Sequence, residues 1–265
     1  RRHDHRRRLA VTIALDWLPQ AAYLYLLLFA RIGAFLMLVP ALGENTIPAR
    51  LRLAFALTLT FVLFPLLAGS LPALPVGMEG MLVLLVRELA VGLVLGAISR
   101  LMVMATQVAG AVVAFQAGLS VAQAADPTQG GIQGAVFGSF LSFLGIALIF
   151  ATDLHHMALA ALYDSYVVFD PTGDLMLTDA SELALRTVAS AFTIGVQMSA
   201  PFIVFGLVFN LGAGILSRLM PQLQVFFILM PANILAGLVL LALLLVMMMG
   251  WYLTAFENHF AMLRG

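Results

Sequence analysis

Four stretches of this chain, 53–78, 101–125, 187–217 and 219–256, contain no Asp, Glu, Lys or Arg. Each is long enough to supply the ~20 apolar residues with which a helix crosses about 30 Å of hydrocarbon. Soluble domains are about 45–50% apolar and about 25% charged. Here the figures are 63% and 10%, with a mean hydropathy of +1.06. A soluble globule of this length has nowhere to hide so much apolar surface. The expected fold class is therefore all-α: a multi-helix, membrane-type protein with interrupted helices.

Composition removes several functions as well. The chain has no cysteine, which excludes disulfides, thiolate catalysis and Cys-ligated zinc. Every basic residue is Arg, and the net charge is zero, so there is no electrostatic footprint for nucleic acid. No short apolar run ends in a small-residue cleavage site, so no cleaved signal peptide is expected. The basic run at 1–8 is unlike the rest, and no function is read into it.

Along the chain, a first long helix is expected over 17–42, with Trp17, Tyr23 and Tyr25 suited to an interface and Arg31 in its middle. A short basic loop at 43–52 follows. A second helix, 53–71, is expected to break near Pro65 and to end at Pro72 and Pro75. The third, 78–106, carries Glu79, Arg87, Glu88 and Arg100. Residues 107–125 are apolar but lack bulk, being dominated by Ala and Gly. A helix over 132–152 leads to the only long polar stretch, 153–186. Helix 188–210 is expected to be interrupted at Pro201, with a turn at 211–223. A last helix, 225–252, contains Pro231 and Asn233. Arg in short loops marks the cytoplasmic side. That rule places 43–52 and the Arg218 turn inside, and the acidic 153–186 stretch on the far side.

Arg31, Arg87 and Glu88 stand inside apolar helices. A charge at the bilayer centre costs ~2.5–3.5 kcal/mol or more, so each must face protein or water. They mark either a polar pathway or an ion pair to a neighbouring helix or subunit. Arg87 and Glu88 are adjacent in a helix and do not face each other.

Gly110, Ala114, Gly118 and Ala122 recur every four residues, as do Gly92 with Gly96, and Gly130 with Gly134 and Gly138. Small residues at this spacing let helix backbones touch, which suffices for the pairs at 92–96 and 134–138. In 107–125, Gln107, Gln116, Ser120 and Gln123 add polar groups to a flexible stretch. Polar or non-helical backbone at membrane depth survives only inside protein or along a water-filled cavity. A constriction or plug is expected there.

Asp153, His155 and His156 raise the question of metal ligation. Adjacent histidines point to different sides of a helix and no HExxH spacing occurs, so no metal site is expected. Gly118, Leu119 and Ser120 resemble an intramembrane serine protease motif, but Val121 stands where Gly is needed. Pro201 and Pro231, with Asn210 and Asn233, suggest the discontinuous helices of a secondary transporter with a midplane site. The charge-free last stretches offer no coupling carboxylate for one.

Three segments carry a more specific likeness. Pro40, Gly43, Ile47, Pro48, Leu51 and Arg52 are spaced as in one. Gly110, Gln116, Gly118, Leu119, Ser120, Asp126 and Pro127 follow a second. Arg218, Pro221, Gln222, Leu223, Val225 and Phe226, with Pro231 beyond, follow a third. In this order they resemble the FliR family of flagellar biosynthesis proteins, whose pattern they cover over most of the chain. The basic tail is the one departure.

The resemblance implies a non-enzymatic core subunit of the flagellar type III export gate, without cofactors. It would sit in the bacterial inner membrane at the basal body. It would assemble with FliP and FliQ into a helical channel that FlhB and FlhA join, and through which unfolded exported proteins pass. A virulence injectisome homologue shares these motifs. The resemblance further implies one domain over 1–265, FliP-like over 9–186 and FliQ-like over 187–265. Its plug maps onto 107–125, with Gly110, Ala114, Phe115, Gln116, Gly118, Leu119 and Ser120 as gate residues.

Overall fold

A computed structural model describes residues 18–40, 42–43, 47–75, 77–118, 130–171, 177–220 and 225–263. The tail at 1–8, Trp17, Leu119, Ser120, Gln123, Asp126 and Pro127 lie outside them, as does part of the third motif (Pro221, Gln222 and Leu223). The described residues contain helices and no strand. These are α1 (Leu18–Leu38), α2 (Ala49–Leu67) with a 3-10 turn at Ala68–Ser70, and α3 (Met78–Gln116). Next come α4 (Gly130–Ala151), α5 (Leu154–Val168), α6 (Leu177–Leu219) and α7 (Val225–Leu263). The chain is all-α, with five helices apolar and long enough to cross a membrane, or six if the bent pair α4–α5 is one span.

Helix α3 is the axis. On its first half α1 runs parallel to it, so close that a Cβ on Gly92 would overlap the Arg31 carbonyl. A Cβ on Gly96 would stand 2.7 Å from Leu38 Cβ. On its second half α4 runs antiparallel, Gly138 against Gly110. Further along that contact, Thr106 and Ser142 share a hydrogen bond of 2.8 Å. Helix α6 lies along the same half, Gly195 near Ala105 and Val108, while Gly237 of α7 abuts Ala117. Without a hydrophobic drive between helices in lipid, such glycine contacts let dispersion and backbone proximity hold the bundle.

Several boundaries differ from expectation. Residues 107–116 are the last turns of α3, not a separate flexible stretch, because their small side chains pack against α4 and α6. The polar stretch 153–186 is not a loop: it holds α5 and the start of α6. Pro65, Pro201 and Pro231 lie inside unbroken helices, and 211–219 continues α6 where a turn was expected. A proline removes one backbone bond, but ending the helix in an apolar setting strands several more donors and acceptors. The interruption that does occur lies between α4 and α5, which bend by 77° at Thr152 and Asp153.

That corner also revises the sidedness inferred from Arg placement. Phe150 and His155 share a cavity of about 270 Å³ with Leu36, Val39 and Phe55. The start of the acidic stretch therefore sits beside the basic loop that joins α1 to α2, not across a membrane from it. Helices α1 and α2, of 21 and 19 residues, match one hydrocarbon layer. Helices α3, α6 and α7 have 39, 43 and 39 residues. At about 1.5 Å per residue they are about twice as long as a bilayer core of about 30 Å is thick.

Candidate functional site

Among the described residues Arg31 is the largest fully buried side chain, and Glu88 is buried with it. The first half of α3 brings the two together because Gly92 lets α1 lie flush on it. Arg31 Nε donates to Glu88 Oε2 at 2.7 Å and Nη2 to Oε1 at 2.8 Å, a two-pronged pair. Nη1 donates to the Ser165 carbonyl at 2.9 Å and faces Ser165 Oγ at 3.2 Å, while Nη2 also donates to the Phe169 carbonyl at 3.0 Å. Every guanidinium N–H thus has an acceptor. The Tyr166 ring lies under the cation, 4.0 Å from Cζ to centroid.

Two of those acceptors are carbonyls at the C-terminal end of α5. A helix end carries partial negative charge; the Phe169 carbonyl lies just past the last turn, and the Ser165 carbonyl also accepts from Phe169 N–H at 2.9 Å. Arg31 therefore serves as the cationic cap of α5, a helix with no basic residue in its own last turn. One side chain ties α1, α3 and α5 together. Of the two readings of Arg31 and Glu88, the ion pair between helices is the one present. Arg87 points elsewhere and donates to the Asp170 carbonyl at 2.6 Å. Ser165, Tyr166 and Phe169 were not singled out from sequence, because their stretch reads as a polar loop.

The gate residues divide into two groups. Gly110 and Ala114 are buried at helix contacts. Phe115 is 65% exposed at the end of α3. The Gln116 carbonyl accepts from Asn233 Nδ2 at 3.3 Å, and its side chain fills the space over Gly206. The helix closes with Ala117 N–H donating to the Val113 carbonyl and Gly118 N–H to the Phe115 carbonyl. Gly118 has φ +77°, the left-handed stop that glycine adopts without a Cβ penalty. Asn233 presses against it, so α7 clamps the point where the chain leaves α3. Asn233 stood out in sequence only as a helix breaker; its role as a clamp comes from α7 crossing the end of α3.

The α6–α7 hairpin is apolar over most of its circumference, with Leu207, Leu211, Ile215, Leu243 and Val246 all at least 60% exposed. Its helices outreach a bilayer, so part of that surface requires cover other than lipid.

This architecture defines an all-α, multi-span membrane protein built around a long glycine-lined central helix. More particularly, the chain belongs to the bacterial export proteins, family 1, whose pattern matches residues 22–259. That is an export-apparatus family and not a family of enzymes. The chain is similar to the flagellar biosynthetic protein FliR of Caulobacter vibrioides, 43% identical over 221 residues covering 83% of this chain and 88% of that protein. It is also similar to FliR of Bacillus subtilis, 32% identical over 82% of this chain and 84% of that protein. FliR of Escherichia coli is 31% identical over 87% of this chain and 86% of that protein.

Proposed function

We propose that this chain is a core subunit of the flagellar type III protein export gate in the inner membrane, at the base of the flagellum. With FliP and FliQ it forms a helical channel for unfolded flagellar proteins, and FlhB and FlhA join that assembly. The carrying observation is the apolar α6–α7 hairpin, too long for a bilayer and exposed along its length, which suits burial against sibling subunits. The FliP-like part is taken over 9–186 and the FliQ-like part over 187–265, with α6 running across that division.

In this proposal the plug is narrower than 107–125. Gly110 and Ala114 hold α3 in the bundle. Phe115, Gln116 and Gly118, with Leu119 and Ser120 beyond the described residues, form the seal at its end. An apolar constriction closes a pore by excluding water, and Phe115 is the apolar side chain exposed there. Arg31, Glu88 and Arg87 fix the bundle against which that end is held. The transporter reading required broken helices at midplane, but α6 and α7 run through Pro201 and Pro231.

Solubilised gently from native membranes, the chain is expected to elute with FliP and FliQ in an assembly several times its own 28.4 kDa. Recovery as a lone chain from cells that build flagella sinks the proposal. Phe115→Asp should leave the fold intact, because the side chain is exposed, yet wet the seal. The expected outcome is an ion leak raised by about tenfold or more, as for a barrier lowered by roughly 1.4 kcal/mol. An unchanged leak in an assembled gate removes Phe115 from the seal.

A further inference from the structure

We propose that Asp153, His155 and His156 form a zinc-class transition-metal site on the corner between α4 and α5. The three ligand atoms lie within 4.8 Å of one another. The two imidazoles, expected on different sides of a helix, have ring centroids 4.1 Å apart and planes tilted by 35°. Asp153 Oδ1 stands 3.7 Å from His156 Nδ1. In a tetrahedral zinc site with bonds of about 2.0–2.2 Å, ligand atoms are separated by about 3.3 Å. A few tenths of an ångström of side-chain motion brings this pair to that distance.

Three features of the corner bring the ligands together. Asp153 has φ +58°, in the left-handed region, so the chain turns sharply there and presents the carboxylate beside the next helical turn. As the N-cap of α5 its side chain should accept from that turn's N–H groups, yet it makes no capping bond. Its carboxylate instead faces His156. His155 is steadied by stacking on Phe150, centroid to centroid 4.8 Å, and its Nδ1 has no hydrogen-bond partner among the described residues.

Two imidazoles and one carboxylate suit Zn²⁺ or Co²⁺ and not Mg²⁺ or Ca²⁺, which take oxygen ligands. A further coordination position is left for water. The bound ion ties the corner to the first turn of α5 and so holds the 77° bend and the cavity wall that His155 contributes. This site does not depend on the export reading.

The test uses the full chain with its membrane partners, free of any histidine tag. Co²⁺ is followed by its visible absorption, and Zn²⁺ by competition against it. The other histidines are His3, His5 and His259, so a His3→Ala/His5→Ala variant serves as the control. Expected are saturable Co²⁺ binding displaced by Zn²⁺ but not by Mg²⁺, and affinity at least about tenfold weaker in Asp153→Asn and in His156→Ala. The control should bind as the parent does. Asp153→Asn keeps a side chain that tolerates the left-handed turn, so its melting temperature without metal should match the parent's. No binding in the parent overturns the site. Loss in the His3/His5 control, or binding undiminished in both corner variants, does the same.

Discussion

Replacing Arg31 with Leu is expected to destabilise the protein by about 3–5 kcal/mol, the cost of leaving a buried carboxylate without its cation. Glu88 is fully buried and takes both oxygens' bonds from Arg31. The same substitution uncaps α5, whose Ser165 and Phe169 carbonyls lose a charged donor. Glu88→Leu should cost a similar amount by stranding the guanidinium. The double variant Arg31→Leu/Glu88→Leu removes both charges and should recover a large part of the loss, short of the contribution from the α5 cap. Arg31→Lys should not rescue, because a compact ammonium cannot reproduce the planar fork over Glu88 and two carbonyls. Thermal unfolding in detergent, with the yield of membrane-inserted chain, checks the set. If Arg31→Leu melts with the parent, the clamp among α1, α3 and α5 is not what holds that corner.

Gly110→Val should break the packing of α3 on α4, with a loss at or above the ~1–3 kcal/mol typical of overpacking. A Cβ at Gly110 would overlap the Gly138 backbone, and backbone has no rotamer through which to yield. The reciprocal position behaves differently. A Cβ at Gly138 would approach the Gln107 carbonyl to 3.3 Å, a tight contact that a small shift relieves. Gly138→Ala is therefore expected to be mild, and Gly110→Ala clearly worse. Gly250, with nothing within 4 Å of an added Cβ, should tolerate Ala or gain about 0.5–1 kcal/mol in helix propensity. Melting temperatures of the three alanine variants give the order, and Gly138→Ala worse than Gly110→Ala would contradict this geometry. Spacing alone ranks Gly110 and Gly138 as equals. The direction in which each Cα faces its neighbour separates them.

Part of the site was legible for physical reasons that act locally. Arg31 and Glu88 in apolar helices had to meet protein or water, whatever the fold. Gly92 and Gly96 at small-residue spacing had to mark a close approach. The stop at Gly118 was not among these, since the third helix was expected to end at 106 and instead runs to Gln116. Other parts were hidden because the helices are apolar on nearly every side. Such helices carry little signal for which face turns inward, and a proline in one does not show whether the helix ends. Hence Pro201 and Pro231 read as breaks, 107–116 as a flexible segment, and α5 as loop.

The sequence by itself determined the class: an all-α membrane-type chain, without thiol chemistry, carrying the motif order of an export family. These follow from hydropathy, composition and short-range spacing, all properties of residues near one another in the chain. Only the tertiary structure decided which residues meet. Arg31 finds Glu88 across 57 residues and the end of α5 across 134 or more, and Asn233 reaches Gln116 across 117. Those contacts depend on how long helices align, and a helix that is apolar all round does not record its partners in its own periodicity.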